Sequence, residues 1–328
     1  MRNLITDVAG VRVGHAGDEK LGSGVTAVVF DEPAVASIDV RGGGPGTRET
    51  ALLDPAQTVS GIDAIVLSGG SAFGLDAASG VQALLREQGR GFAVRSARVP
   101  IVPAAILFDL LSGGDKEWRR YPPYRELGYD AASDAAVAFD LGSAGAGLGA
   151  NTVNLKGGIG SASAMVDGIT VGALAAVNAA GSVTVGDSQH FWAAPFEQQR
   201  EFGGKGWPSQ PPADALELRI KGGAGANTTL IVVATDAILS KAEAKRLAVM
   251  AQTGVARAIY PVHTPLDGDV LFTAATGKKP LADPLRTLAQ LGTVAANVTA
   301  RAIARAVYEA SVLPFAGALP AWKDKFGG

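Results

Sequence analysis

Apolar positions in this chain come mostly in short runs broken by glycine, and long amphipathic stripes appear only in the last third. Val8, Val11 and Val13 stand among polar or small neighbours over residues 4–14, which predicts a half-buried strand ending at Gly14-His15. Residues 24–30 and 34–40 read as two more strands, separated by Asp31, Glu32 and Pro33, so the spacing predicts an antiparallel meander. The run 64–67 is a strand that turns through Ser68, Gly69, Gly70 and Ser71 into a helix with Val81, Leu84 and Leu85 on its apolar face. Pro100 and Pro103 make the stretch after Val99 an edge or an extended connector. Residues 112–130, polar and aromatic, read as a surface loop, and 131–139 as a short alanine-rich helix.

In the second half, strands near 164–166 and 170–177 flank Asp167-Gly168, a hairpin turn sequence, and residues 182–185 are expected to pair beside them. Residues 187–214 lose all periodicity and read as a mobile segment. Then comes Gly222-Gly223-Ala224-Gly225-Ala226-Asn227-Thr228, a loop of small residues that runs into the apolar strand 229–234. Ser240 and Glu243 form a capping box for a helix ending about Gly254. Asp267-Gly268-Asp269 precedes a strand at 270–274, and Asp283-Pro284 supplies an N-cap and an N1 proline for a last helix to about residue 310. Strands this closely spaced argue against a doubly wound parallel sheet. They argue for an α/β sandwich of stacked sheets covered by helices, in a single domain over 1–328.

Composition narrows the function classes. Hydrophobic residues make up 47% of the 328, enough for a large core, so the 43 glycines indicate close backbone packing rather than disorder. The net charge is −2 and no basic stripe exists, which argues against nucleic acid as a partner. No unbroken apolar stretch is long enough for a membrane span, and residues 1–7 lack an apolar signal core, so the chain is expected to be cytoplasmic. The lack of cysteine excludes disulfides and thiolate metal sites, and neither a cofactor nor a metal is expected.

Three places carry candidate chemistry. The loop 41–50 resembles a phosphate loop, but it lacks the Gly-Lys-Ser/Thr ending and Pro45 removes an amide, so it is expected to line a pocket instead. Ser71 sits on a strand–turn–helix like a nucleophile elbow, but the second glycine arrives one residue late, at Gly74. A glycine-permitted turn is the simpler reading there, and Ser71 stays a rival nucleophile. The third place is the seam at Asn227-Thr228. It is either a strand entered through a glycine turn or a nucleophile that cuts its own chain. In the second case the Thr228 oxygen attacks the Asn227 carbonyl, the peptide becomes an ester, and water releases a new N-terminus. The freed α-amine, with an unperturbed pKa of about 8, then serves as a base beside its own hydroxyl. Asp267 and Asp269, two apart, face the same side of an extended segment. Near Thr228 they would orient its ammonium or hydroxyl, or pair with a substrate amino group; alone, they also read as a solvated Asp-Gly turn.

Three segments taken together settle the resemblance: Lys156-Gly157-Gly158-Ile159-Gly160-Ser161, Asn227-Thr228-Thr229 with its following strand, and His263-Thr264-Pro265-Leu266-Asp267-Gly268-Asp269. Over most of its length the chain resembles the DmpA-like aminopeptidases (the L-aminopeptidase/D-amidase/D-esterase group), which include β-peptidyl aminopeptidases and nylon-oligomer (6-aminohexanoate) hydrolases. The Thr nucleophile and paired Asp residues are more similar to the nylon-oligomer branch. The resemblance implies an αββα sandwich akin to N-terminal nucleophile hydrolases. It also implies a precursor that cuts itself between Asn227 and Thr228, leaving pieces 1–227 and 228–328 of roughly 23 and 10 kDa by length, and a homotetramer of processed protomers. Thr228 becomes the nucleophile and Asp267 and Asp269 its acidic partners. Lys156 would polarise the nucleophile or the developing charge, and Asn178 would stabilise the oxyanion; by pattern alone they read as a loop lysine and a turn residue. Several members carry a Tyr near the oxyanion where this chain has Phe108, so either a backbone amide, for example of the 68–71 turn, substitutes for it or the activity is altered. The expected activity is hydrolysis of amide bonds in short peptides, amino-acyl amides or 6-aminohexanoate oligomers. Acyl transfer of the ornithine acetyltransferase type and ligand binding without chemistry are the alternatives.

Overall fold

A computed structural model describes residues 1–221 and 227–327 of the chain. Its strands are β1 (Val11–Asp18), β2 (Ser23–Val40), β3 (Thr47–Arg48), β4 (Ile62–Ser68), β5 (Phe92–Val94), β6 (Ala97–Val99), β7 (Ala104–Ile106), β8 (Gly158–Val166), β9 (Ile169–Asn178), β10 (Thr228–Ala237) and β11 (Val270–Lys279). The α-helices are α1 (Ala77–Glu87), α2 (Tyr124–Ser133), α3 (Lys241–Ala251), α4 (Thr253–Ala256), α5 (Pro284–Tyr308) and α6 (Trp322–Phe326).

The strands run in the order β3-β7-β4-β2-β11-β10-β9-β8, with β1 also on β2, while β5 and β6 form a separate hairpin. β2 is the hinge of the architecture. Its first half pairs with β1 and β4, and its second half pairs with β11. Two sheets thereby share one strand and stack face to face. Alternation along each strand divides the core into three layers. Val28, Phe30, Ile65, Leu67, Leu230, Val232 and Phe272 fill the space between the sheets. Val25, Ala27, Ala64 and Val66 pack outward against α1 and α2. Ala173, Ala175, Ile231 and Val233 pack outward against α3, α4 and α5. The order helix, sheet, sheet, helix is the αββα sandwich expected from the resemblance.

Several local expectations change. Residues 31–33 make no hairpin turn, because β2 runs through them. They are exposed and lie at a register shift between Val29 and Ala34, where the missing N–H of Pro33 breaks no required ladder bond. The helix placed at 131–139 instead spans Tyr124–Ser133, inside the stretch read as surface loop, because its buried Tyr124, Gly128, Ala131 and Ala132 make a packing face. Residues 182–185 do not join β9; Ser182 bridges Tyr260 and Thr184 bridges Phe191. The stretch 187–214 is irregular yet anchored, since Phe191 and Phe202 are buried and pack on each other, and Phe191 also stacks on Trp322.

Other expectations hold. Asp167 and Gly168 take φ of 49° and 77°, the left-handed pair that a tight hairpin between β8 and β9 needs. Ser240 and Glu243 close a capping box, and Asp283 caps α5 through the Arg286 amide. Gly160 shows why the chain is glycine-rich: a Cβ there would stand 2.0 Å from the Ala302 carbonyl of α5. Among the described residues, no helix is long and apolar enough to cross a membrane.

Candidate active site

The ends of β9 and β10 bring the candidate residues together. Thr228 opens β10 and lies opposite Asn178, the last residue of β9. β11 runs parallel to β10 on its other side, so the loop before β11 delivers Asp267, Gly268 and Asp269 to the same end. Thr228, Asn178, Lys156, Asp267 and Asp269 are all buried. The glycine loop 222–226 lies outside the described residues.

The Asn227–Thr228 bond is held from several directions. Asn227 bridges Asp267 in parallel, and the Gly268 N–H donates to the Asn227 carbonyl at 2.8 Å. The Thr228 hydroxyl donates to the same oxygen. Asp269 Oδ1 accepts the Thr229 N–H at 2.7 Å, and its Oδ2 meets His263 Nδ1 at 2.7 Å. Asp267 Oδ1 accepts from the Ala180 N–H at 3.1 Å, and its Oδ2 accepts from the Thr264 N–H and hydroxyl at 2.9 and 2.6 Å. Burial, and secondarily the charge of Asp269, raise the Asp267 carboxyl above the ordinary aspartate range.

A cavity of ≈ 240 Å³ lies beside these strand ends, walled by Phe108, Leu111, Asn151, Lys156, Lys221 and Leu313 among others. Lys156 Nζ donates to the carbonyls of Gly147, Ala150 and Gly157 at 3.0, 2.8 and 2.8 Å. Burial pushes its pKa down to about 7, with the charge of Lys221 acting in the same sense and that of Asp109 against it. Lys221 was not singled out from the sequence. Its Nζ donates to Asn151 O at 2.7 Å and to Asn178 Oδ1 at 2.9 Å, and burial pushes its pKa down to about 7 as well. Asn178 Nδ2 donates to the Phe108 carbonyl at 3.0 Å.

Several sequence expectations need correction here. Asp267 and Asp269 bond to the backbone around Thr228, and among the described residues neither lines this cavity. The amides of the 68–71 turn do not replace a tyrosine hydroxyl. The N–H of Gly69, Gly70 and Ser71 go to Gly24 O, Asp109 Oδ1 and Leu107 O. Ser71 has no histidine partner: His15 pairs with Thr26, His190 with Gly206 and His263 with Asp269. The 41–50 loop does not wall this cavity, although its Thr50 borders a separate pocket with Ser37 and Leu53. Arg41 and Gly42 donate to Asp269 O, Gly43 to Thr264 O and Gly44 to Asp267 O, making a shelf under the acidic loop. Only the lack of side chains at Gly42 to Gly44 marked this close approach in the sequence, since a Cβ at Gly42 would meet the Asp269 amide at 2.2 Å.

A sequence model of Peptidase family S58 matches residues 3–317. The chain is 43% identical to an uncharacterised aminopeptidase of Mycobacterium tuberculosis, over 99% of this chain and 98% of that protein. It is 28% identical to the 6-aminohexanoate-oligomer endohydrolase of Kocuria sp. strain KY2, over 90% of this chain and 80% of that one. Its fold is similar to that of the L-aminopeptidase D-Ala-esterase/amidase of Ochrobactrum anthropi, described as a variant of the Ntn hydrolase fold. The TM-score is 0.72 at 21% identity, covering 98% of this chain and 90% of that one.

Proposed function

The chain belongs to peptidase family S58, a family of peptide and amide hydrolases, and we propose that it is a threonine hydrolase activated by cutting its own Asn227–Thr228 bond. The observation that carries this reading is the Asn227 carbonyl, which accepts the Gly268 N–H at 2.8 Å while the Thr228 hydroxyl stands on the same oxygen. A donor so placed meets the negative charge that develops when Thr228 Oγ adds to the carbonyl carbon.

In the self-cleavage, the Oγ–C bond forms and the C–N bond breaks. The departing nitrogen takes a proton and becomes the amine of Thr228. Water then adds to the ester, leaving a carboxylate on Asn227 and restoring the hydroxyl. The products are residues 1–227 and 228–328, about 23 and 10 kDa by length. In turnover the same Oγ attacks a substrate amide, with the new α-amine as base. The cavity beside Lys156 and Asn178 receives the acyl part. Lys156 contributes its field, Asn178 an amide toward the oxyanion, and Asp269 orients the Thr228–Thr229 backbone through the Thr229 N–H. The substrates are amides of short peptides, amino-acyl amides or 6-aminohexanoate oligomers, and the processed protomers assemble as tetramers.

Turnover of an amide panel by the wild-type and Thr228→Ala chains tests this. Loss of all turnover in a folded Thr228→Ala protein is the expected result, and full activity in that variant would refute it.

A further inference from the structure

We propose that Lys221 is a positioning residue for self-cleavage, fastening the segment before the cut to the end of β9. The inference rests on the self-processing reading above.

Its basis is a closed ring of contacts around the scissile bond. The Lys221 N–H donates to Ala180 O at 2.9 Å, and the Ala180 N–H donates to Asp267 Oδ1 at 3.1 Å. The neighbouring Gly268 N–H holds Asn227 O, and Asn227 Nδ2 returns to Lys221 O at 3.4 Å, the longest contact of the ring. The side chain adds a second fastening. Lys221 Nζ reaches Asn151 O at 2.7 Å, Asn178 Oδ1 at 2.9 Å and Asn178 O at 3.3 Å. Asn178 is the register partner of Thr228, so the ammonium fixes the strand end against which the nucleophile lies. A half-buried amine held by three oxygen acceptors at the cavity wall is an arrangement that an apolar side chain cannot reproduce.

The test compares full-length wild-type, Lys221→Ala and Lys221→Met chains by intact mass over time. The Ala variant lacks the three terminal carbons and the amine, which propylamine replaces, and the adjoining cavity admits it. Lys221→Ala is expected to cut at least tenfold more slowly than wild type, and propylamine, but not propanol, to restore cutting. Lys221→Met, which keeps the stem, is expected to fold and remain slow. Cutting of either variant at the wild-type rate overturns the proposal, as does equal behaviour in propylamine and propanol. If the wild-type chain itself stays whole, the self-processing reading falls and this inference with it. If wild type cuts and the Lys221 variants match it, only the role of Lys221 falls.

Discussion

The amide of Gly268 donates to the carbonyl oxygen of Asn227 at 2.8 Å, and a Cβ on Gly268 would stand 2.7 Å from the Thr228 hydroxyl oxygen. The residue between the two aspartates is therefore both a donor to the Asn227 carbonyl and the space in which the Thr228 hydroxyl sits. Gly268→Ala keeps the N–H but displaces the hydroxyl or the loop. It is expected to slow self-cleavage by on the order of a hundredfold, the scale of misplacing a reacting group by about 1 Å. Uncut chain seen by intact mass checks this; processing at the wild-type rate contradicts it.

Asp269 accepts the Thr229 N–H at the start of β10. Asp269→Ala leaves the buried Thr229 N–H without the acceptor it has at 2.7 Å. A buried donor so stranded costs about 1–3 kcal/mol. Urea unfolding of this variant, made in a Thr228→Ala background to keep the chain whole, should show a loss of that size. An unchanged midpoint would remove Asp269 from its positioning role.

Lys156 and Lys221 are expected to give stability a pH dependence. Lys156 and Lys221 each fall to about 7 in the folded chain, below their value near 10.4 when unfolded. Between these limits the unfolded chain binds more protons, so their contribution makes stability rise as pH increases from 7 towards 10. Below pH 7 both are charged in either state and the slope vanishes. Lys156→Met in the uncut Thr228→Ala background is expected to flatten the rise, as read by unfolding at several pH values. A slope unchanged by the substitution would show that Lys156 keeps an ordinary pKa.

Hydrolysis needs only water as acceptor. Release of free acid from an amide substrate is expected without any added amine, and N-acetylornithine with glutamate is expected to yield no acetylglutamate above background. Turnover that depends on glutamate would shift the account to acyl transfer.

The stacked sheets, and the Thr228 seam and the Asp267/Asp269 pair as candidates, were readable in the chain because their signals are local, whereas Lys156 and Asn178 stood out only through the resemblance. Asp267 and Asp269 share a side by spacing alone, and Thr228 marks itself by standing between small residues and an apolar strand. The features that escaped are those made by distant partners. Lys221 looks like any surface lysine until Asn151, Asn178 and Ala180 arrive from other segments. Asp31 to Pro33 look like a turn until β4 and β11 draw β2 into one continuous strand on either side of them. The glycines of the 42–44 shelf have no pattern of their own, because their purpose lies in the backbone of the acidic loop packed on them.

N-terminal sequencing of the purified wild-type protein tests the central claim most directly. The account predicts two sequences in equal amounts, one starting at the chain's own N-terminus and one reading Thr-Thr-Leu-Ile from Thr228, with Thr228→Ala giving only the first. A fully active wild-type protein that yields a single N-terminus from one uncut chain would contradict it.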